Sequence, residues 1–574
     1  MKKFLAILLV MSIVFTLAAC TSGGEEIIII GEDGQIIQDG NTGGDISGDN
    51  TVDNNTGSGS SGGSTGGSTG GSTGGSTGGS TGGSTGGSTN TSGGSTNTSG
   101  GSTGGTTATT TNLGPKVLGM FYRDVVRQDF NVNVALVKEV DQKADAMLKK
   151  IENYPDSIKA KIGGTTYYVS NDGSDSNSGT SADKPKKTYN ALKGSLKSGD
   201  AVLFRRGDLF RGQIVMVTGV SYGAYGSGIK PRFYGSVDGA KSGGGTWKTT
   251  STKDVYMFSK VINNYSNIVF NNGEAIGRPV QSMDKITDRA LNVVYKSGKV
   301  YVYSPNGNPA DIYSSIEIVE GYILFQSGGN NLHLQNLCIM YAGLHGVAPG
   351  QCENFEAEGC IIGYIGGKEL YLGGTSIGNG IELWGNVKHA RVHDNYVFQC
   401  FDAGLTHQSN GGMKYSAIEE DIEYTYNLVE YCVYSFEAFT ASIHGDNDQY
   451  HDKMGKVTIA NNISRFAGWG WGYLDRPDKG VPADVKYRAG DHVEPLIITN
   501  NIFDRSRLGV YRGTNVPDKS LMYFTNNTIL LNPKRKFMDI GGIGEINLGG
   551  DLNAYMAKVF VDYSGTTVTE IPNA

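Results

Sequence analysis

Between residues 21 and 112 the chain has no aromatic residue and no Lys or Arg, although it holds 30 of the 86 glycines. Without apolar surface to offset the entropy of ordering, such a stretch stays a coil. Its charges are of one sign: Glu25, Glu26, Glu32, Asp33, Asp39, Asp45, Asp49 and Asp53. Removing these eight acids, with Lys2 and Lys3, from the totals of 56 and 49 leaves 48 acidic against 47 basic groups elsewhere. A nearly neutral body without a Lys/Arg stripe speaks against nucleic acid as a partner, since that needs a basic face. C-x-x-C and H-E-x-x-H are absent. After Cys20 only Cys338, Cys352, Cys360, Cys400 and Cys432 remain, an odd number without paired spacing. Buried thiols are expected, with no disulfide framework and no transition-metal site. Beyond the N-terminus no apolar run reaches the ~20 residues that span a bilayer.

The N-terminus is different. Lys2 and Lys3 precede the apolar run Phe4–Leu17, then Ala18, Ala19 and Cys20. A charged start, an apolar stretch and small residues read as an export signal over 1–20. The string LAAC resembles the lipobox of bacterial lipoproteins. The resemblance implies cleavage before Cys20 and lipid on its thiol, hence a chain anchored on the extracellular face of the cell membrane and not integral to it. EEIIIIGEDGQII has two short apolar runs that can pair as a hairpin. From about Gly62 to Thr89 the text repeats GGST. Residues 21–112 therefore read as a disordered Gly/Ser/Thr tether with a random-coil reach of roughly 50–60 Å.

Folded text begins near residue 113. Val134, Val137, Val140, Ala144, Met147, Leu148 and Ile151 carry helical spacing before Pro155. An amphipathic helix over 132–153 is expected, packed against or capping the next domain, within an N-terminal segment 113–164. From 165 to 574 the body repeats. LHLQNLCI, FEAEGCII, ARVHDNYVF, IEYTYNLVE, VTIANNISR, LIITNNIFD and MYFTNNTIL each read strand, turn residue, strand. The turn residues Asn336, Gly359, Asn395, Asn427, Asn462, Asn501 and Asn527 are 23, 36, 32, 35, 39 and 26 apart. Constant strands with variable loops suit a solenoid. An Asn at one bend tolerates a left-handed backbone and can bond the Asn stacked on it.

Together with the opening TTYYVSNDGSDSNSGTSADKPKKTYNALKG, this pattern resembles the right-handed parallel β-helices of the pectate-lyase-like superfamily. The resemblance implies an all-β fold, an Asn ladder between the second and third sheets, and a substrate cleft along the first. Asp172 and Asp175 read as a structural turn, because their spacing matches no calcium loop. Cys400 and Cys432, each five residues after a ladder Asn, are expected to stack.

If that placement holds, the cleft strands are HGVAP (345–349), GIELW (380–384), GLTHQ (404–408), SFEAF (435–439), GWGYL (470–474) and GVYRG (509–513). Val347, Ile381, Leu405, Phe436, Trp471 and Val510 then point inward, while Ala348, Glu382, Thr406, Glu437, Gly472 and Tyr511 point outward, by the period of two along a strand. Glu382 and Glu437 fall on one face two coils apart, about 9–10 Å at the backbone. That suits a water between base and sugar, the inverting geometry, while side-chain tilt would close the gap to the retaining range. Asp402 and His407 flank the GLT strand and join the glutamates as candidate catalytic groups. Trp384, Trp469, Tyr473 and Tyr511 offer flat faces for sugar rings, and Thr406, Asp475, Arg476 and Arg512 offer polar contacts. A lyase is the competing chemistry, with Arg476, Arg512 or Lys388 as base and calcium drawn from Asp446, Asp448 and Asp452. A non-catalytic glycan-binding stalk is the third reading. The partner expected in each case is an extracellular polysaccharide, met by a monomer. The hydrolase itself calls for no cofactor.

Overall fold

The structure is a computed structural model. It describes residues 134–571 except 327–328, 370–375, 410–414, 441–451, 476–481, 489–490 and 516–517, together with three short strands near the N-terminus. Of these strands, Ile27–Ile30 pairs antiparallel with Ile36–Ile37, as the hairpin reading expects, and with Phe15–Ala18 on its other side. Cys20 and residues 39–110 lie outside the described residues.

The body is a parallel β-helix. One coil shows the plan: Ile381–Trp384 in the first sheet, Val387–His393 in the second, Tyr396–Cys400 in the third, then Ala403–Gln408 back in the first. Among the described residues the three sheets hold ten, twelve and ten strands. Their inward residues merge into one core running the length of the stack, with Ile362, Ile381, Val392, Val397, Leu405, Tyr424 and Phe436 among its members. Each coil closes the open edge of the one before it, which removes the edge problem along the stack.

The corner between the second and third sheets carries the ladder. Asn395 Nδ2 donates to Asn427 Oδ1 at 3.1 Å, Asn427 to Asn462 at 3.1 Å, Asn462 to Asn501 at 3.0 Å and Asn501 to Asn527 at 3.1 Å. Each amide oxygen also takes the backbone N–H of the previous ladder residue, and each Nδ2 also donates to a strand carbonyl, as Asn427 does to Val392 O. Buried backbone groups at a bend are thereby satisfied.

Two details differ from the expectation. The left-handed residue is the one before each ladder Asn: Asp394 (φ 53°), Tyr426 (56°), Asn461 (59°), Asn500 (56°) and Asn526 (54°). In the first two coils Asn336 (φ 59°) and Gly359 (φ 61°) hold that left-handed place, so Leu337 and Cys360 stand where later coils have the ladder Asn. Cys360 N–H accordingly donates to Asn395 Oδ1 at 2.9 Å. All five described cysteines are buried and free, and burial with the neighbouring Cys432 thiol pushes the Cys400 thiol up.

The helix is Ala135–Glu152. At 1.5 Å per residue its 18 residues run about 27 Å, enough to cross five or six coils of ~4.8 Å. It lies along the third sheet: Ala144, Leu148 and Ile151 pack on Tyr364, Tyr396 and Leu428, while Val137 and Val140 reach Leu530. Asp141 on the helix meets Arg465, which is fully buried and also bonds Asp504 at 2.9 Å and Glu430 at 3.2 Å. Residues 236–320 depart from the repeat. They form two mainly antiparallel sheets around Trp247, Phe258, Ile268 and Val300, inserted between the third-sheet strand Arg232–Tyr234 and the first-sheet strand Phe325–Gln326. At the first turn of the body, Asp175 accepts from the Thr188 and Lys187 N–H groups and Asp172 pairs with Arg205.

Candidate active site

Glu382 pairs in register with Thr406, and Thr406 with Glu437. The column continues through Lys486, Arg512 and Asp539. Ile381, Leu383, Leu405, Phe436, Ala438, Val485 and Tyr487 belong to the interior core, so the residues between them face out. The two carboxylates sit two strands apart, about 9.6 Å at the backbone, with only the short Thr406 side chain between them.

Facing outward does not leave these groups wet. Glu382 is 4% exposed and Glu437 3%. A buried charge without partners costs several kcal/mol, and both have partners. His345 Nε2 lies 2.7 Å from Glu382 Oε2. The Asn379 N–H donates to His345 Nδ1 at 3.2 Å. In the neutral ring the proton therefore sits on Nε2, the nitrogen beside Glu382. The contact is short but off the ring N–H axis.

Glu437 meets three donors. Lys486 Nζ is 2.7 Å from Oε1, Gln408 Nε2 donates to Oε2 at 3.0 Å, and Thr406 Oγ1 stands 3.5 Å from Oε2. Lys486 in turn rests 4.4 Å from the centre of the Tyr434 ring. Two residues along each strand a second outward column runs Trp384, Gln408, Phe439 and Arg488, with Arg488 over the Phe439 ring at 4.7 Å. Half-buried Trp384 is an aromatic on the same face as both glutamates.

Several expectations are corrected. His407 lies between two outward residues and points inward. It is fully buried with Nδ1 3.3 Å from the Tyr424 hydroxyl, and burial pushes its pKa down to about 3. It cannot serve the outer face. GWGYL is no cleft strand: Trp471–Asp475 is a short helix, and that coil's first-sheet strand is Ala483–Arg488. Trp471 is buried as expected, but against Phe401, with Nε1 donating to Gln399 O at 2.9 Å. Tyr511 is one residue out of the expected phase. It pairs with Val485 in the interior and is 1% exposed, and Arg512 takes the outward place.

Trp469 and Tyr473 clamp the Arg507 guanidinium, at 4.7 and 4.6 Å from their ring centres, so each gives one ring face to protein. Asp402 is half-buried at the corner entering Ala403–Gln408, where its carbonyl accepts from Val433 and Tyr434. Asp475 ends the short helix, and Arg476 lies outside the described residues. Lys388 is on the second sheet, 3.2 Å from Glu420.

The donors of this column do not fit a calcium ion, which takes six to eight oxygens. The column's two glutamates are separated by Thr406, and Glu437 is already held by an ammonium. Asp446 and Asp448 lie outside the described residues. Asp452 is buried and accepts the Ala417 N–H at 2.8 Å.

The sequence reading missed His345, Gln408 and Lys486. Lys486 carried a signal: ADVKYR alternates as a strand around Val485 and Tyr487. GWGYL, 13 residues earlier, took its place because the insertion there hid the phase. His345 carried none, since its role depends on a neighbour 37 residues away.

No protein-family model matches the chain, and no curated protein matches its sequence. Solved structures similar to it include a complex of XylC with xylose, at 12% identity over 67% of this chain and 73% of that one, with a TM-score of 0.39. The GH136 lacto-N-biosidase from Eubacterium ramulus aligns at 12% identity over 71% and 68%, with a TM-score of 0.31. Pectate lyase Pel9A aligns at 13% identity over 72% and 78%, with a TM-score of 0.31.

Proposed function

We propose that the chain hydrolyses an extracellular polysaccharide, with Glu382 and Glu437 as its acid and base. The observation that carries this reading is the shared column: two outward carboxylates about 9.6 Å apart at the backbone, beside Trp384, with one small side chain between them. Carboxyl groups about 6.5–9.5 Å apart admit a water opposite the leaving group and lead to inversion. Glu437, surrounded by the donors Lys486, Gln408 and Thr406, suits the carboxylate that draws a proton from that water. Glu382, beside the proton-bearing nitrogen of His345, suits the group that protonates the leaving oxygen and is then reprotonated. A panel of plant and host polysaccharides, followed by product analysis, tests it. Reducing ends lost in both Glu382→Gln and Glu437→Gln support it, and full activity in both variants makes the pair a structural network.

A second reading is favoured by Lys486 and Arg512, which extend the same column with basic groups. A lyase would use one of them to remove a proton alpha to a uronate carboxyl. A conjugated unsaturated product, seen by ultraviolet absorbance, would establish it. Tight binding with no product under any condition would leave a glycan-binding stalk.

For location we propose a lipid anchor on Cys20 that holds the chain, as a monomer, at the outer face of the membrane. Lys2, Lys3, the apolar run and LAAC support this, and among the described residues no helix is long and apolar enough to cross a membrane. Metabolic labelling with an alkyne fatty acid, lost in Cys20→Ser, is the expected result.

A further inference from the structure

The outer face of the second sheet gathers two imidazoles and two carboxylates that the hydrolytic reading does not use. His333 and Glu356 pair in register on adjacent strands, and Glu358 pairs with His393 on the next. The two imidazoles alternate with the two carboxylates, each carboxylate turning one oxygen to each ring. His333 Nε2 is 2.9 Å from Glu358 Oε1 and 3.6 Å from Glu356 Oε2, while His393 Nε2 is 3.3 Å from Glu356 Oε1 and 3.7 Å from Glu358 Oε2. In a tetrahedral site with bonds of about 2.0–2.1 Å, neighbouring ligand atoms stand about 3.3 Å apart. The four nitrogen–oxygen contacts are of that size, one to each oxygen of the two carboxylates. One ligand atom each from His333, Glu356 and Glu358 fall within 4.8 Å of one another.

We propose that His333, Glu356 and Glu358, with His393 as fourth ligand, bind a zinc-type divalent transition-metal ion. Imidazole nitrogen with carboxylate oxygen is a donor set for zinc and its first-row neighbours, whereas calcium prefers oxygen alone. The surroundings match what such a site needs. His393 Nδ1 bonds Asp394 Oδ2 at 3.1 Å, which leaves Nε2 as the ligand nitrogen and repeats the carboxylate–histidine–metal arrangement. Asp394 is fixed in turn by Lys150 at 2.7 Å. Tyr154 OH donates to Glu358 at 2.5 Å and Gln335 Nε2 at 2.6 Å, so that carboxylate is aimed before any ion arrives. Arg391, beside Glu356 in register, turns away to Asp421 at 2.7 Å. The ligands come from three successive coils, and Lys150 and Tyr154 tie the same patch to the N-terminal helix and the chain just after it. The ion would staple helix and coils together.

The test uses the full chain dialysed against a chelator and then titrated with zinc chloride by calorimetry. One equivalent should bind and the melting temperature should rise. Cobalt chloride should give the visible absorption of a tetrahedral nitrogen–oxygen site. His333→Gln and Glu356→Gln should each weaken binding at least about 10-fold. Glu356 is partly exposed, so its variant should keep the wild-type circular dichroism. His389→Gln, outside the cluster and paired with Asp421, should bind as wild type. Absence of stoichiometric binding, or affinity unchanged in both ligand variants, overturns the proposal. Polysaccharide cleavage is not a readout here, so the two proposals stand or fall separately.

Discussion

The ladder corner and the outer column of the first sheet are built on one pitch and obey opposite rules. At the corner the same amide returns in Asn395, Asn427, Asn462, Asn501 and Asn527. The backbone offers the same unsatisfied groups in every coil, and one side chain answers them each time. On the column the residues change at every step, from Ala348 through Glu382, Thr406, Glu437, Lys486 and Arg512 to Asp539. Nothing in the stacking of coils asks for those identities. The corner is what a β-helix needs to exist, and the column is where it can do something particular.

The widest separation between the two should appear in catalysis. Glu382→Gln and Glu437→Gln are each expected to lower kcat by about 10²–10⁴-fold on whichever polysaccharide the panel identifies; Glu382→Gln should change the melting temperature little, whereas Glu437→Gln, which leaves the Lys486 ammonium without its carboxylate, should also lower it. Initial rates and calorimetry check both halves. The converse substitution is Asn462→Ala. It removes the bonds to Tyr424 O at 2.8 Å and Asn501 Oδ1 at 3.0 Å and leaves the Asn427 backbone N–H without its acceptor. A loss of about 2–3 kcal/mol in urea unfolding is expected, with kcat unchanged.

A third prediction sharpens the contrast inside the stack. Asp484 is fully buried against Ser464 and Ser506, and burial raises its pKa to about 8 from an ordinary 3.8. The folded state thus holds a proton that the unfolded state releases, so this contribution is complete below about pH 4 and is lost as pH rises towards 8. His407, lowered to about 3 from 6.5, acts oppositely and is lost as pH falls below 6.5. The two oppose each other between about pH 4 and 6.5. Above that Asp484 declines alone of the pair, with His393, raised to about 9, adding a slope of the same sign. Asp484→Asn should reduce the fall in stability between pH 6.5 and 8 by up to about 1.4 kcal/mol per pH unit, read from melting temperatures across that range. Smallest is Trp384→Ala, which should raise KM about 3–10-fold, the worth of an aromatic contact, and leave kcat and folding alone.

Legibility in the sequence divides along the same line. The ladder, the strands around it, the buried thiols and the helix were legible because each repeats a residue type at a structural period. Even there the phase slipped in the first two coils, where Asn336 and Gly359 fill the left-handed place and imitate the ladder residue. Glu382 and Glu437 could be placed because their strands keep a Gly or Ser ahead of an inward Ile or Phe. Tyr511 was misplaced by one residue, and an error of one reverses a side chain. His407 was misjudged because chemistry was read from its neighbours along the chain, whereas strand alternation puts it in the interior beside Tyr424. The mainly antiparallel sheets of 236–320 and the His333–Glu356–Glu358 cluster were not legible. Neither has a period, and the cluster assembles from positions on separate coils, with His333 and Glu356 pairing across adjacent strands.

Two outward carboxylates on either side of Thr406 are proposed to flank the bond that is cut. Proton NMR of the first-formed product, recorded before mutarotation, tests it most directly. A reducing end with inverted anomeric configuration is expected. A retained anomer, or an unsaturated sugar in its place, would contradict it.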